Sequence, residues 1–195
     1  MSSNVLVGDE GRYLMYAQNL CKGFYASNIS EGTYLWNGPG YPIVLMPFAY
    51  LQLPLVAPKL FNAVLMYIAL LFFFKTSSFF LNEKKSFFLT VLLGLYYPLF
   101  IKCLPLLLSE VLAFTLVVLF TYFFVRYINN SQKRNLWLSS FFLGFLILTK
   151  VLFFYVVVAV IVVLMLAMLF KATSRFSKKS LIVLSLSLLF ISDHS

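Results

Sequence analysis

Two adjacent carboxylates followed closely by an arginine form the first candidate chemical site in this sequence. Asp9 and Glu10 lie just before Arg12, so the three charged groups can come within a few ångströms of one another. A carboxylate can take a proton from an attacking hydroxyl, and a guanidinium can hold a phosphate through two parallel hydrogen bonds. The pattern could handle an anionic group beside a base, although the simpler interpretation is that adjacent acidic residues stabilise a helix N-terminus.

Other charged side chains could contribute to the same chemistry. Glu110 opens an apolar run over residues 111–125, where a carboxylate costs free energy unless it faces water or a partner. Lys150 interrupts the longest apolar stretch of the chain. Each has a simpler interpretation, as an interfacial carboxylate for Glu110 and as a snorkelling turn residue for Lys150. Tyr13 joins this set, whereas Lys102 is interpreted as a snorkelling side chain.

The sequence predicts neither a metal site nor a disulfide bond. Cys21 and Cys103 lie far apart in the chain without a neighbouring histidine, so we expect both to be small packing residues. His194 is the single histidine and lies near the end of the chain, where we expect no catalytic role. No metal ligands are therefore predicted, and the need for a cofactor such as a divalent cation stays unknown.

The composition indicates that these residues are carried by membrane helices. Apolar residues make up 62% of the 195 residues and charged residues only 11%, against about a quarter in soluble domains. The formal charge of +9 lies mostly in short connections between apolar runs, which is typical of cytoplasmic loops and not of a nucleic-acid-binding face. The predicted fold class is an all-α polytopic membrane protein without a nucleic-acid partner.

Six apolar runs within residues 58–195 are predicted to form transmembrane helices. They cover about residues 58–74, 86–104, 109–126, 136–149, 151–170 and 180–191. Residues 136–170 as one helix would reach roughly 52 Å, well beyond a ~30 Å hydrocarbon core, so a turn is predicted near Thr149 and Lys150. Basic residues cluster in alternate connections, which we expect in the cytoplasm. These residues are Lys75, Lys84, Lys85, Arg126, Lys133, Arg134, Lys171, Arg175, Lys178 and Lys179.

Residues 1–57 are predicted to form a non-cytoplasmic loop with two juxtamembrane helices. Apolar residues of the first helix recur at helical spacing, and Gly23 stands where a C-terminal cap belongs. These apolar residues are Tyr13, Tyr16, Ala17, Leu20 and Cys21. An amphipathic helix at the membrane surface is expected. A Gly38-Pro39-Gly40 turn precedes a second helix at about 43–56, which Pro47 and Pro54 interrupt and which is too short to span.

The order of these features resembles the GT-C glycosyltransferases of the protein mannosyltransferase and aminoarabinose transferase type, a group often called glycosyltransferase family 39-like. Four segments carry the resemblance: Gly8-Asp9-Glu10-Gly11-Arg12-Tyr13, Trp36-Asn37-Gly38-Pro39-Gly40-Tyr41-Pro42, Leu108-Ser109-Glu110 and Gly144-Phe145-Leu146-Ile147-Leu148-Thr149-Lys150. In that order they are similar to the family's first-loop DE-x-RY motif, its Pro-Pro-Leu-Tyr-Pro segment, its acidic residue at the start of a span, and its Gly-x-x-x-Leu-Thr-Lys motif.

The resemblance implies transfer of a sugar from a polyprenyl-phosphate donor to a lipid, glycan or protein acceptor. The enzyme would lie in the bilayer, as a hexosyl or pentosyl transferase of the bacterial plasma membrane with its active site on the external face. The resemblance makes Asp9 the catalytic base and assigns the donor phosphate to Arg12 and Lys150. It assigns acceptor or sugar contacts to Glu10, Tyr13 and Glu110.

The sequence differs from those of the family in two ways, and two other functions are alternatives to the predicted one. Relatives carry a transmembrane helix before the first loop and further C-terminal spans, so we expect a chain truncated at both ends that is inactive alone. A transporter or channel is one alternative, and it would place charges in the middle of its spans. A non-catalytic membrane scaffold is the other, and it would not need the cluster of Asp9, Glu10 and Arg12.

Overall fold

The computed structural model describes residues 9–27, 38–96, 105–169 and Val183 of the chain. Every regular element within these ranges is an α-helix, which confirms the all-α class. The helices of the described ranges are α1 (Glu10–Cys21), α2 (Gly40–Tyr50), α3 (Val56–Ser77), α4 (Glu83–Tyr96), α5 (Ser109–Asn130), α6 (Lys133–Thr149) and α7 (Leu152–Leu169).

Helix α1 ends in the glycine cap that the sequence predicts. Gly23 has a φ of +85°, and its amide donates to the Leu20 carbonyl at 3.0 Å. The Phe24 amide donates to the Asn19 carbonyl at 3.2 Å, so the two bonds form a Schellman motif. The Asn19 side chain is buried and donates to the Ala26 carbonyl at 2.7 Å. Asn19 therefore holds the chain that leaves the helix.

Helices α3 and α5 pack side by side and run in the same direction. The Thr115 hydroxyl donates to the Leu65 carbonyl at 3.2 Å, within the N-terminal halves of the two helices. Towards their ends the Phe72 and Tyr122 rings meet edge to face, with centroids 4.9 Å apart. The first turns of both helices therefore lie at the same end of the bundle.

Helix α6 returns antiparallel to α5. Ser131, with a φ of +55°, and Gln132 form the short connection, and the Phe123 and Phe142 rings stack 5.6 Å apart. The end of the bundle that holds the starts of α3 and α5 and the end of α6 is called the acidic end below. The opposite end, formed by the ends of α3 and α5 and the starts of α4 and α6, is called the basic end.

The core lies between these three helices and α2. Its buried apolar side chains include Tyr41, Leu45, Leu65, Met66, Val111, Leu112, Leu116, Leu143, Leu146 and Ile147. Helix α1 lies on α2 and buries Tyr13, Tyr16 and Ala17, three of the apolar residues that the helical spacing singles out. Helix α2 starts at Gly40 and ends at Tyr50, earlier at both ends than predicted. The positive φ of Gln52 (+51°), followed by Pro54, explains its early end.

Helices α3 and α5 are, within the described ranges, the two that are long and apolar enough to cross a membrane. They contain the predicted spans 58–74 and 109–126. The predicted turn between α6 and α7 is present, since α6 ends at Thr149 and Lys150 is extended. Residues 97–104 and, apart from Val183, the predicted span 180–191 lie outside the described residues.

The Gly38-Pro39-Gly40 turn packs directly on the last turn of α6. A Cβ on Gly38 would overlap the carbonyl oxygen of Leu148. A Cβ on Gly40 would lie 2.8 Å from the amide nitrogen of Thr149 and 2.9 Å from its Cα, closer than Cβ atoms come in folded proteins. Glycine is required at both positions because any side chain would push the start of α2 away from α6.

We expect Gly38→Ala and Gly40→Ala to destabilise the fold by about 1–3 kcal/mol through this overlap with backbone atoms. The apparent unfolding temperature of the purified chain in detergent measures the effect. Gly94→Ala is the matched control, because its Cβ would lie an ordinary 3.5 Å from Leu70 Cδ1 inside a helix. Unchanged unfolding in both turn variants would contradict the close approach.

Candidate functional site

A cavity of about 470 Å³ opens at the acidic end, between the start of α1, the start of α5 and the connection from α6 to α7. Four of the six predicted site residues line it: Asp9, Tyr13, Glu110 and Lys150. The other lining residues are Gly38, Leu108, Thr149, Val151, Leu152 and Tyr155. The cavity therefore brings together residues from all four segments that carry the family resemblance.

Lys150 and Glu110 form the central ion pair of this cavity. The Lys150 Nζ lies 2.7 Å from Glu110 Oε1, and each side chain is about one-third exposed, at 33% and 32% respectively. The second carboxylate oxygen of Glu110, Oε2, is buried and has no hydrogen-bond partner among the described residues. An ammonium carries three donors, so the lysine can bind an anion while it keeps its contact with Glu110.

Tyr13 connects the cavity wall to the buried core. Its hydroxyl lies 3.0 Å from the Ser109 hydroxyl, and its ring meets the Tyr41 ring edge to face at 5.2 Å. Burial raises the pKa of the Tyr41 phenol far above its usual range, with an opposing contribution from the Asn62 side chain. Tyr41 therefore stays a neutral packing residue behind the cavity wall.

Asp9 stands at the N-cap position of α1 and faces the cavity. Its carboxylate makes no hydrogen bond to the helix amides, so side-chain capping does not account for it. Arg12 NH1 lies 3.4 Å from Asp9 Oδ1, and the side chains are 47% and 52% exposed respectively. An exposed pair of this kind contributes little to stability and is free to rearrange around a ligand. Arg12 itself does not line the cavity.

Glu10 is buried away from the cavity, unlike the direct acceptor or sugar contact that we predicted for it. It is 1% exposed, and its Oε1 accepts a hydrogen bond from the Leu107 amide at 2.8 Å. Lys59, at the start of α3, lies 4.0 Å from the same oxygen. Glu10 thus joins α1 to α3 and to the segment that leads into α5, and it holds Leu108 and Glu110 in place.

Sequence reasoning missed Lys59 and the two glycines as determinants of this site. The only signal for Lys59 was a lone cation near the start of an apolar run. Its pairing with Glu10 depends on how α1 lies against α3, which local spacing does not encode. The glycines were recognised as turn residues, but their contact with Leu148 and Thr149 joins segments about 110 residues apart.

Comparison with known proteins identified no relative, because no family model, curated protein or solved structure matches this chain. Within residues 9–27, 38–96 and 105–169, no three side chains of histidine, cysteine, aspartate or glutamate lie close enough to hold a metal ion together. The geometry of the cavity is therefore the basis for any statement about function.

We expect Glu10→Gln to destabilise the fold by about 1–3 kcal/mol, because it removes the charge that faces Lys59 and weakens the bond from the Leu107 amide. Unfolding of the purified chain in detergent measures the change. Arg12→Gln, which breaks the exposed pair with Asp9, is the control and should cost less than about 1 kcal/mol. Equal losses in the two variants would contradict the anchoring role of Glu10.

Proposed function

We propose that this chain is a membrane glycosyltransferase of the GT-C type, which moves a sugar from a polyprenyl-phosphate donor to an acceptor hydroxyl. The observation that carries the proposal is the convergence of Asp9, Glu110 and Lys150 on one cavity next to an exposed apolar helix. These residues lie in segments that are far apart in the sequence. A carboxylate, an ion pair and a nearby apolar surface together fit a ligand with an anionic head and an apolar tail.

Insertion into a membrane as several spans is the first part of the proposal. Each of the two helices α3 and α5 contains an apolar stretch of 18 residues that could cross a membrane. Only 28% of this stretch is buried in α3 and 44% in α5, far less than in the core helix of a soluble protein. Large apolar side chains stand exposed on helices α3, α4 and α7. They include Val64, Tyr67, Leu71, Phe87, Phe88, Val156 and Val163. Such a surface is costly in water and suits contact with lipid chains.

The cavity wall formed by α7 supports a lipid-linked donor. Leu152 and Tyr155 line the cavity and are 70% and 66% exposed, so the cavity continues onto an apolar helix surface. Lys150 precedes that helix and presents its ammonium to the cavity. A polyprenyl chain would lie along α7 while its phosphate binds Lys150, and Arg12 would reach the phosphate from the rim.

The proposed reaction uses Asp9 as the general base. Its carboxylate takes the proton of the acceptor hydroxyl while the hydroxyl oxygen attacks the anomeric carbon of the donor sugar. The bond between that carbon and the phosphate oxygen breaks, and the polyprenyl phosphate leaves with the electron pair. Lys150 stabilises the phosphate charge as it develops, because electrostatic contacts act on it in a partly desolvated site. Glu110 and Tyr13 contact the sugar or the acceptor.

Charge distribution supports an external active site. Lys75, Arg126, Lys133 and Arg134 lie at the basic end, opposite the cavity. Connections rich in lysine and arginine stay in the cytoplasm, so the acidic end would face outward in a bacterial plasma membrane.

The placement of charges favours this enzyme over a transporter or channel. In the described helices every charged residue lies within five residues of a helix end, whereas transporters place charged and polar groups near the bilayer midplane. A scaffold without activity would not need a carboxylate oxygen that is buried and unbonded beside an ion pair, as in Glu110.

Asp9→Asn should lower sugar transfer by 10² to 10⁴ and leave donor binding unchanged, because the amide keeps the shape of the carboxylate but cannot accept the proton. Transfer of radiolabelled sugar from polyprenyl phosphate, measured in membranes that contain the protein together with the flanking spans that the family resemblance implies, tests the change. Glu83→Gln removes a carboxylate at the basic end and serves as the control. Wild-type turnover in Asp9→Asn would remove the assigned base.

Lys150→Gln should weaken binding of polyprenyl phosphate by about tenfold or more, because it removes a charge-assisted contact to an anion. Binding to the purified 195-residue chain in lipid nanodiscs measures this without any need for turnover. Lys22→Gln, an exposed lysine of the α1 cap, is the matched control and should bind normally. Failure of the unaltered chain to bind polyprenyl phosphate would contradict the proposed donor.

A further inference from the structure

The basic end gathers six cations on four helix ends. They are Lys75 of α3, Lys84 and Lys85 of α4, Arg126 of α5, and Lys133 and Arg134 of α6. Glu83 is the one acidic residue that the described part of the chain places there. None of the six cations forms an ion pair with another described residue. This end therefore carries a large positive charge that the described chain does not neutralise.

Helix stability accounts for Lys75, in the last turn of α3, but not for most of this charge. Lys84, Lys85, Lys133 and Arg134 stand in the first turns of α4 and α6, where the helix macrodipole disfavours positive side chains. Cations at these positions oppose helix formation slightly. The cytoplasmic placement proposed above accounts for the side on which these cations lie, and on that side they face the anionic lipid surface of the cytoplasmic leaflet.

Lys75 and Arg126 lie over the rings of Phe72 and Tyr122, which contact each other and together form an aromatic platform. Arg126 NH1 donates to the Tyr122 hydroxyl at 3.1 Å, and its guanidinium carbon lies 5.6 Å from the Tyr122 ring centroid. The Lys75 Nζ lies 5.2 Å from the centroid of Phe72, whose ring meets Tyr122 edge to face. The two cations are thus held on neighbouring helices by rings that touch each other, which reduces the entropy lost when they bind an anion.

Exposed aromatic side chains lie close in the sequence to these cations. Phe79, Phe80 and Trp137 are 43%, 72% and 53% exposed, and all three lie within a few residues of the basic helix ends. Aromatic rings are enriched where acyl chains meet lipid head groups, at the depth where cations reach phosphates. A soluble polyanion would contact the cations but would leave these apolar rings in water.

We propose that the basic end is a binding site for the phosphate group of anionic phospholipids, with Lys75 and Arg126 on the Phe72–Tyr122 platform as its principal contacts. Lys84, Lys85, Lys133 and Arg134 add long-range attraction around it, and each cation near an anionic surface strengthens binding by about fivefold. The inference rests on the membrane insertion proposed above but not on sugar transfer.

Trp137 allows this site to be observed directly. The sequence contains two tryptophans, so Trp36→Phe leaves Trp137 as the single reporter at the basic end. The purified chain with this substitution is reconstituted in phosphatidylcholine vesicles that contain increasing fractions of brominated phosphatidylglycerol or brominated phosphatidylcholine. Bromine quenches indole fluorescence only on contact, so the two titrations compare the affinities of the lipids for the site.

We expect phosphatidylglycerol to quench Trp137 at a several-fold lower mole fraction than phosphatidylcholine, and high salt to reduce the difference. Lys75→Gln and Arg126→Gln should each weaken this preference by about fivefold. Tyr122→Phe keeps the ring but loses the hydroxyl that orients Arg126, so it should weaken the preference less than Arg126→Gln. Lys22→Gln removes the same charge outside the basic end and should change nothing.

Three results would overturn the proposal. Equal quenching by the two lipids would refute the anionic site while leaving membrane insertion intact, and quenching by neither lipid would refute insertion as well. Displacement of phosphatidylglycerol by soluble glycerol phosphate or by heparin would show that the basic end binds a free phosphate or polyanion and not a lipid surface.

Discussion

The cavity at the acidic end depends on the close approach of Gly38 and Gly40 to the last turn of α6. Backbone meets backbone at this contact, so no side chain can adjust to relieve an error in spacing. Helix α1 packs on α2, so a shift of α2 would also move α1 together with Asp9 and Tyr13. The distance between the proposed base and the Lys150 ammonium is therefore determined by two residues that have no side chains.

Some polar groups around this contact have a hydrogen-bond partner for each buried atom, and others do not. Glu10 is buried but hydrogen-bonded to Leu107 and close to Lys59, so it stabilises the joint between α1, α3 and α5. Glu110 pairs through one oxygen and leaves the other buried without a partner. A buried acceptor without a donor costs free energy, and such costs are usual where a ligand completes the arrangement. The two glutamates thus differ in role although both lie at the acidic end.

The separation of charges gives the two ends of the bundle different chemistry. At the acidic end carboxylates and cations are paired across a cavity, which suits a reaction on a charged ligand. At the basic end Lys75 and Arg126 lie over aromatic rings, and the six cations have no carboxylate partner among the described residues, which suits a static phosphate surface. Apolar helix surfaces connect the two ends, so a bilayer would orient both of them at once.

Much of this architecture follows from the sequence alone because its causes are local. Apolar run lengths predicted α3 and α5, Gly23 predicted the end of α1, and the length of the apolar stretch 136–170 predicted the break at Lys150. The sequence also singled out Asp9, Tyr13, Glu110 and Lys150, which share one cavity. Tertiary structure alone decided that Glu10 turns inward while its neighbour Asp9 lines the cavity, that Lys59 pairs with Glu10, and that Gly38 and Gly40 touch α6. Successive residues of a helix point about 100° apart, so local sequence specifies the helix, whereas its rotation about its own axis is set by what packs against it.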